Sequence, residues 1–360
     1  MQILPSFATP RAAIMVVFGA FGTAIGALAG SMPTVTHNAG IDSFMLGLAI
    51  TASTIGTVSM MSLGGVIAHH ASNRGILLVT LPLFALLILA VLTSASPLVF
   101  FAAFIVLGIV IGLTDLFMNA EGAAVEIDMG KPIFSAFHAS VSTGLPIFAI
   151  LSSFVSTSIG PWATGLLVMA CFAIAWGFVY CLIPARSLAM GRASRIASLP
   201  KKMPLVLLGL AAGLMIAAET AAILWSAKLL NGQAPSLAAI AGLGAAFYGL
   251  CNAGVRYAGD GLRARLGNLP LMIGSLMVAI AGFAALGLSQ QFATSVAAFA
   301  LVGFGTAVLI PCVFPLAAAF VPANRAAGGI SFAFGLYAGV MTVALILIII
   351  LRNMQRGVEQ

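Results

Sequence analysis

Gly65-Val66-Ile67-Ala68-His69-His70-Ala71-Ser72-Asn73-Arg74 and Ala258-Gly259-Asp260-Gly261-Leu262-Arg263-Ala264-Arg265-Leu266-Gly267 are two turns of one kind, about 190 residues apart, each closing a long apolar run with glycine, polar and basic residues. At nearly the same offset, Leu107-Gly108-Ile109-Val110-Ile111-Gly112 is echoed by Val302-Gly303-Phe304-Gly305. Two landmarks sharing one offset point to a chain built by duplication.

The runs between the landmarks settle the solvent. Of the 360 residues 62% are apolar and 6% charged, too few polar groups to cover a globule in water. The chain therefore belongs in lipid, where its length leaves room for about eleven or twelve crossings at roughly 20 to 30 residues per span. Unbroken runs such as Val343 to Leu351 lack the alternation of a β-barrel, so the spans are helices. Cys171, Cys181, Cys251 and Cys312 fall in apolar runs without metal-type spacing and read as small packing residues. The net charge of +7 lies at the ends of spans rather than in a patch, which speaks against a nucleic-acid partner.

Apolar runs predict helices near residues 11–33, 43–69, 75–94, 98–125, 134–157 and 160–184, then, after a polar stretch, near 204–227, 236–258, 269–288, 292–319 and 328–351. The expected organisation is an all-α polytopic membrane protein of two pseudo-symmetric bundles. A six-helix unit spans 1–185, a basic linker 186–203 and a five-helix unit 204–360. With a cytoplasmic N-terminus, the inside turns carry Arg11, Arg74, Lys131, Arg186, Arg192, Arg195, Lys201, Lys202, Arg263, Arg265 and Arg325, and the outside turns essentially Lys228, while the eleventh helix takes Arg352 and Arg356 outside against this bias. That asymmetry predicts a multi-pass protein of the bacterial inner membrane with its N-terminus inside. Arg11, the apolar run and Ala27-Leu28-Ala29 also imitate a secretory leader. Cleavage there would turn the basic linker outward, against the charge bias, so a retained first helix is expected.

Both repeated turns resemble the signature loop of the major facilitator superfamily: a glycine, an acid four residues on, then basic residues. Neither copy is intact. His69 stands at the acid position and Ser72 at a later glycine position of the first; the second keeps Asp260 but has Arg256 for the leading glycine. Asp115-Leu116-Phe117-Met118-Asn119-Ala120-Glu121, Gly130-Lys131-Pro132, Phe137-His138, Glu219 and Trp225-Ser226 resemble the YbjJ-type branch of bacterial transporters, itself similar to fucose-permease-like sugar porters. The resemblance implies the major facilitator fold. It also implies a twelfth helix, which the eleven predicted runs do not supply. In that fold the third, sixth, ninth and twelfth helices are peripheral supports.

Ionisable groups within spans cost roughly 2.5 to 3.5 kcal/mol each on insertion scales and usually face a wet cavity or a partner. Asp115, Asn119 and Glu126 share one face of helix four. They read either as a cavity wall or as a packing seam, with the cavity favoured for Asp115 and a solvated charge beside Asp128 and Lys131 for Glu126. His138, one turn into helix five with Ser142 on its face, titrates near neutrality and is either a proton site or a structural donor. Glu219 lies near the midplane of helix seven with no Lys or Arg within two turns, and reads as a proton-coupling carboxylate in preference to a structural hydrogen-bond partner. Trp225 and Ser226, near the outer end, read first as an interfacial anchor. Tyr248, Asn252 and Arg256 form a second stripe, on helix eight. Arg256 reads either as binding an anionic group or, the favoured reading, as snorkelling to water or joining Asp260, and Asp260 with Arg263, Arg265 and Arg74 forms the expected gating set. His69-His70 lacks the spacing of a metal site.

These features predict a secondary active transporter working by alternating access, with proton symport of a small polar solute favoured over efflux of drugs or metabolites. The expected partners are a small-molecule solute, the proton and the lipid bilayer, with no cofactor, no metal and a monomeric state. A non-transporting solute sensor is the reading from a different class. An enzyme lacks support, since no nucleophile with a base, metal set or soluble catalytic domain is visible.

Overall fold

The computed structural model describes residues 9–67, 72–129, 133–184, 202–309 and 312. Ten α-helices follow in order: α1 Pro10–Asn38, α2 Ser43–Ile67, α3 Asn73–Leu92, α4 Pro97–Met129, α5 Phe134–Ser158, α6 Pro161–Leu182, α7 Lys202–Gln233, α8 Leu243–Leu266, α9 Asn268–Leu288 and α10 Phe292–Thr306, with a 3-10 helix, Pro235–Ile240, between α7 and α8. Among the described residues nine helical segments are long and apolar enough to cross a membrane. The expected helix at 328–351 lies outside the described residues, as do His69, His70, Lys131, Arg325 and most of the basic linker.

Local chemistry sets the boundaries. Thr9 caps α1 by accepting from the Ala12 amide at 3.3 Å, with Pro10 preset for the first turn, and Ser72 caps α3 by accepting from Gly75 at 3.1 Å. Gly267, at φ +79°, ends α8 and admits the turn into α9. Several boundaries differ from the sequence reading: α1 runs on to Asn38, α7 runs on to Gln233, and α8 begins only at Leu243, after the 3-10 helix. Helix α4 runs to Met129, because Glu126 accepts from the Ile133 amide at 2.6 Å and ties the turn into α5. Helix α8 runs to Leu266, so Asp260, Arg263 and Arg265 stand on its last turns rather than in a loop.

Small residues hold the helices together. In lipid there is little hydrophobic drive between apolar helices, so close backbone approach matters more. Gly22, Gly26 and Gly30 of α1 rest on the backbone of α5 at Val141, Leu145 and Ala149, with no room for a Cβ. Gly108 of α4 rests in the same way on Ser53 of α2, and Gly303 of α10 on Tyr248 of α8. The steps from 53 to 248 and from 108 to 303 are both 195 residues, so the duplication is visible as one helix-pair contact made twice. Interior aromatics fill the first bundle, where Phe84 meets Phe172 at 4.9 Å and Phe100 stacks on Phe104 at 5.2 Å.

The two bundles meet through α1, α5, α7, α8 and the 3-10 helix. Ala29, Ala149, Ala245 and Ala246 form a buried cluster across the boundary. Ser153 Oγ donates to the Ala238 carbonyl at 2.9 Å and accepts from the Gly242 amide at 3.1 Å. Gly242 sits so close to the Ala149 carbonyl that a Cβ would overlap it. These contacts seal the end of the bundle at which α7 turns into α8. Gly242→Ala is expected to force that end open. A spin-label pair across the ends of α5 and the 3-10 helix, in a cysteine-free background, then reads a longer distance; an unchanged distance rejects the seal.

Candidate functional site

The second stripe, Tyr248, Asn252 and Arg256, faces Glu219 of α7. The Tyr248 hydroxyl donates to Glu219 Oε1 at 2.9 Å, Asn252 Nδ2 donates to the same atom at 3.3 Å, and an Arg256 terminal nitrogen lies 3.4 Å from it. Thr306, at the end of α10, closes the group: its hydroxyl is 3.1 Å from the Tyr248 hydroxyl and accepts from Asn252 at 3.3 Å. Arg256 Nε donates to the Ala307 carbonyl at 3.2 Å. Helical spacing explains the convergence, since positions i, i+4 and i+8 of α8 present one face to α7. Tyr248 also carries the backbone contact with Gly303, so the packing that repeats across the bundles fixes the depth of the site.

Four of the residues singled out by sequence are thus one cluster: Glu219, Tyr248, Asn252 and Arg256. Thr306 was not singled out; its signal was its place directly after Gly303-Phe304-Gly305. The sequence leaves Glu219 without a cationic neighbour on its own helix, whereas the fold supplies Arg256 from α8. Arg256 lies in mid-helix because α8 continues to Leu266, and its guanidinium is placed on Glu219.

The first stripe is separate. Asn119 Nδ2 donates to the Asp115 carbonyl at 2.7 Å and to Asp115 Oδ1 at 2.9 Å, so these two satisfy each other along α4. His138 stands edge-on to Phe18 of α1, with ring centroids 5.2 Å apart. The charge of Arg256 reaches His138 across the α5–α8 boundary. Glu121, quoted only as part of a motif, is fully buried at 0% exposure and accepts from Asn73 Nδ2 at 3.0 Å, tying α4 to the start of α3. An acid inside a long apolar helix was the signal that could have marked it.

The expected gating residues are dispersed. Arg74 donates to the Tyr180 carbonyl at 2.8 Å and lies 5.4 Å over the Tyr180 ring, a contact of α3 with α6 inside the first bundle. Arg263 Nε donates to Asn268 Oδ1 at 3.0 Å, and Arg265 is exposed. The Asp260 side chain lies outside the described residues. At the sealed end Lys228 sits over the Trp225 ring at 5.8 Å, while Ser226 donates to Ile223 of its own helix at 2.8 Å.

Residues 12–348 match the sequence profile of the Major Facilitator Superfamily. The chain belongs to that superfamily. Its relatives include the membrane protein MosC of Rhizobium meliloti, 26% identical over 85% of this chain and 75% of that protein. An uncharacterised transporter, y4wD, of Sinorhizobium fredii is 25% identical over 91% of this chain and 88% of its own. Among solved structures, the nucleoside transporter NupG superposes with a TM-score of 0.67 at 15% identity, covering 94% of this chain and 90% of that one. A D-xylose-proton symporter superposes with a TM-score of 0.70 at 14% identity, covering 92% and 88%. This superfamily member is accordingly a multi-pass membrane protein of a transporter family, and its second bundle carries the Glu219 cluster beside the boundary between bundles.

Proposed function

We propose that this protein is a proton-coupled secondary transporter of a small polar solute, working by alternating access in the bacterial inner membrane. The observation that carries the reading is the convergence of three donors on Glu219 Oε1, at mid-helix and next to the α5–α8 boundary. A carboxylate inside an apolar span usually faces a partner or a wet cavity, and this one draws its donors from a neighbouring helix. Rocking of the bundles about the Gly242–Ser153 seal changes what surrounds it. On the orientation favoured by the basic turns, the sealed end faces outward. The printed functions of the structural neighbours, a nucleoside transporter and a xylose-proton symporter, agree with a polar solute.

Counterflow in proteoliposomes tests this reading. Vesicles loaded with one unlabelled solute from a panel of D-xylose, a nucleoside and small monocarboxylates are expected to take up the labelled form of at least one, and an inward proton gradient is expected to raise its level above equilibrium. Binding without exchange would instead mark a sensor.

A further inference from the structure

We propose that the solute carries a single negative charge, a small carboxylate being the fitting class, and that Arg256 binds it once Glu219 has taken up a proton on Oε2. This rests on the proton-coupled reading above and names its substrate class.

All three donors of the cluster reach Oε1 of Glu219; Oε2 receives none from the described residues and is not among their buried unpaired atoms. Among the described residues, Oε2 is thus the oxygen left for a proton. On the partner side, Arg256 commits Nε to the Ala307 carbonyl and one terminal nitrogen to Glu219, at 3.4 Å. Charge-assisted pairs usually close to about 2.7 to 2.9 Å, so this pair is loose and open to exchange. Its second terminal nitrogen has no acceptor among the described residues and is likewise not a buried unpaired atom. The Arg256 side chain is 33% exposed against 17% for Glu219, so it is the less enclosed member of the pair.

Charge then selects what crosses. With Glu219 ionised and no solute, the pair is neutral. Protonation alone leaves Arg256 uncompensated in a low-dielectric boundary, and anion binding without protonation leaves one negative charge in excess; both are costly. A proton on Oε2 together with one monoanion on Arg256 restores neutrality. Only the two neutral states reorient readily, so one proton accompanies one monoanion. A neutral polyol offers Arg256 no compensation.

Among the titratable groups around Arg256, Asp260 is one turn further along α8, and its side chain lies outside the described residues. On α8 the Tyr248 phenol and the Cys251 thiol are neutral at physiological pH. From α5 the titratable group coupled to Arg256 is His138, which is negative in neither of its forms and so offers no counter-charge. Helix α1 between Arg11 and His37, the described part of α10, helix α9 and the 3-10 helix have no titratable side chain, and α7 has none besides Glu219 between Lys202 and Lys228.

The test is a thermal-shift titration of the purified full-length protein with matched pairs: D-gluconate against D-glucose, lactate against propane-1,2-diol, pyroglutamate against 2-pyrrolidone, each at an acidic and a mildly basic pH. Stabilisation is expected from carboxylates and not from their neutral partners. Carboxylate affinity is expected to be higher at the acidic than at the mildly basic pH. Glu219→Gln is expected to keep carboxylate binding and lose the pH slope, and Arg256→Gln to lose binding at both pH values. The Glu219→Gln/Arg256→Gln double variant, which leaves no unpaired charge, serves as the folding control and is expected not to bind. Equal stabilisation by the neutral partners, none by any carboxylate, or carboxylate binding that survives in the double variant overturns the proposal. If a neutral solute accumulates through Glu219 with the proton gradient, the transport reading stands and the substrate class falls. If carboxylates bind as described but no solute exchanges, the class stands and the transport reading falls.

Discussion

Glu219→Gln is expected to remove proton-driven accumulation while leaving solute exchange intact. Glutamine keeps an oxygen for the Tyr248 and Arg256 donors that converge on Oε1, so the cluster retains its shape. What it lacks is an ionisable oxygen at Oε2. With one proton per solute, a one-unit pH gradient supports about ten-fold accumulation, since about 1.4 kcal/mol corresponds to a factor of ten. The variant is expected to stop at a ratio near one. Uptake driven by a pH jump and counterflow, measured on the same proteoliposomes, separate the two activities. Accumulation that survives in the variant places the proton site elsewhere, with Asp115 and His138 the next residues to replace.

Gly303→Val is the substitution expected to damage the protein most. A Cβ at 303 overlaps the Tyr248 carbonyl, which is backbone and cannot swing aside. Helices α8 and α10 must separate, and overpacking of this kind costs about 1 to 3 kcal/mol or more. The separation also withdraws Tyr248 from Glu219 and Thr306, so coupling is lost with stability. The expected result is a marked fall in monodisperse yield and melting temperature. Gly254→Ala is the control: no atom lies within 4 Å of its added Cβ, and replacing a mid-helix glycine gains about 0.5 to 1 kcal/mol. Equal behaviour of the two variants would mean that the repeated glycine contact does not hold the bundle together.

Membrane residence, helicity and duplication were legible in the sequence, because each depends on features that survive in one dimension: run length, polar content and an offset between motifs. The i, i+4, i+8 stripe of α8 was legible for the same reason, since a helix converts spacing into a face. Which residue answers that stripe was not. Glu219 and Arg256 are 37 positions apart, and their pairing depends on the depth at which α8 packs against α7 and α10, set by Gly303 on Tyr248. Helix ends were misjudged where polar residues lie inside helices, as with Glu126 in α4 and Asp260 in α8, because hydropathy marks the lipid boundary and not the last helical hydrogen bond.

By itself, then, the sequence determined the solvent, the helical class and the twofold plan, all of which follow from local composition and period. Only the tertiary structure decided that Arg256 meets Glu219, that Thr306 completes the cluster, that Asp115 and Asn119 satisfy each other, and that Ser153 and Gly242 seal one end. Each of these depends on the relative depth and rotation of packed helices, to within the few tenths of an ångström that a missing Cβ allows.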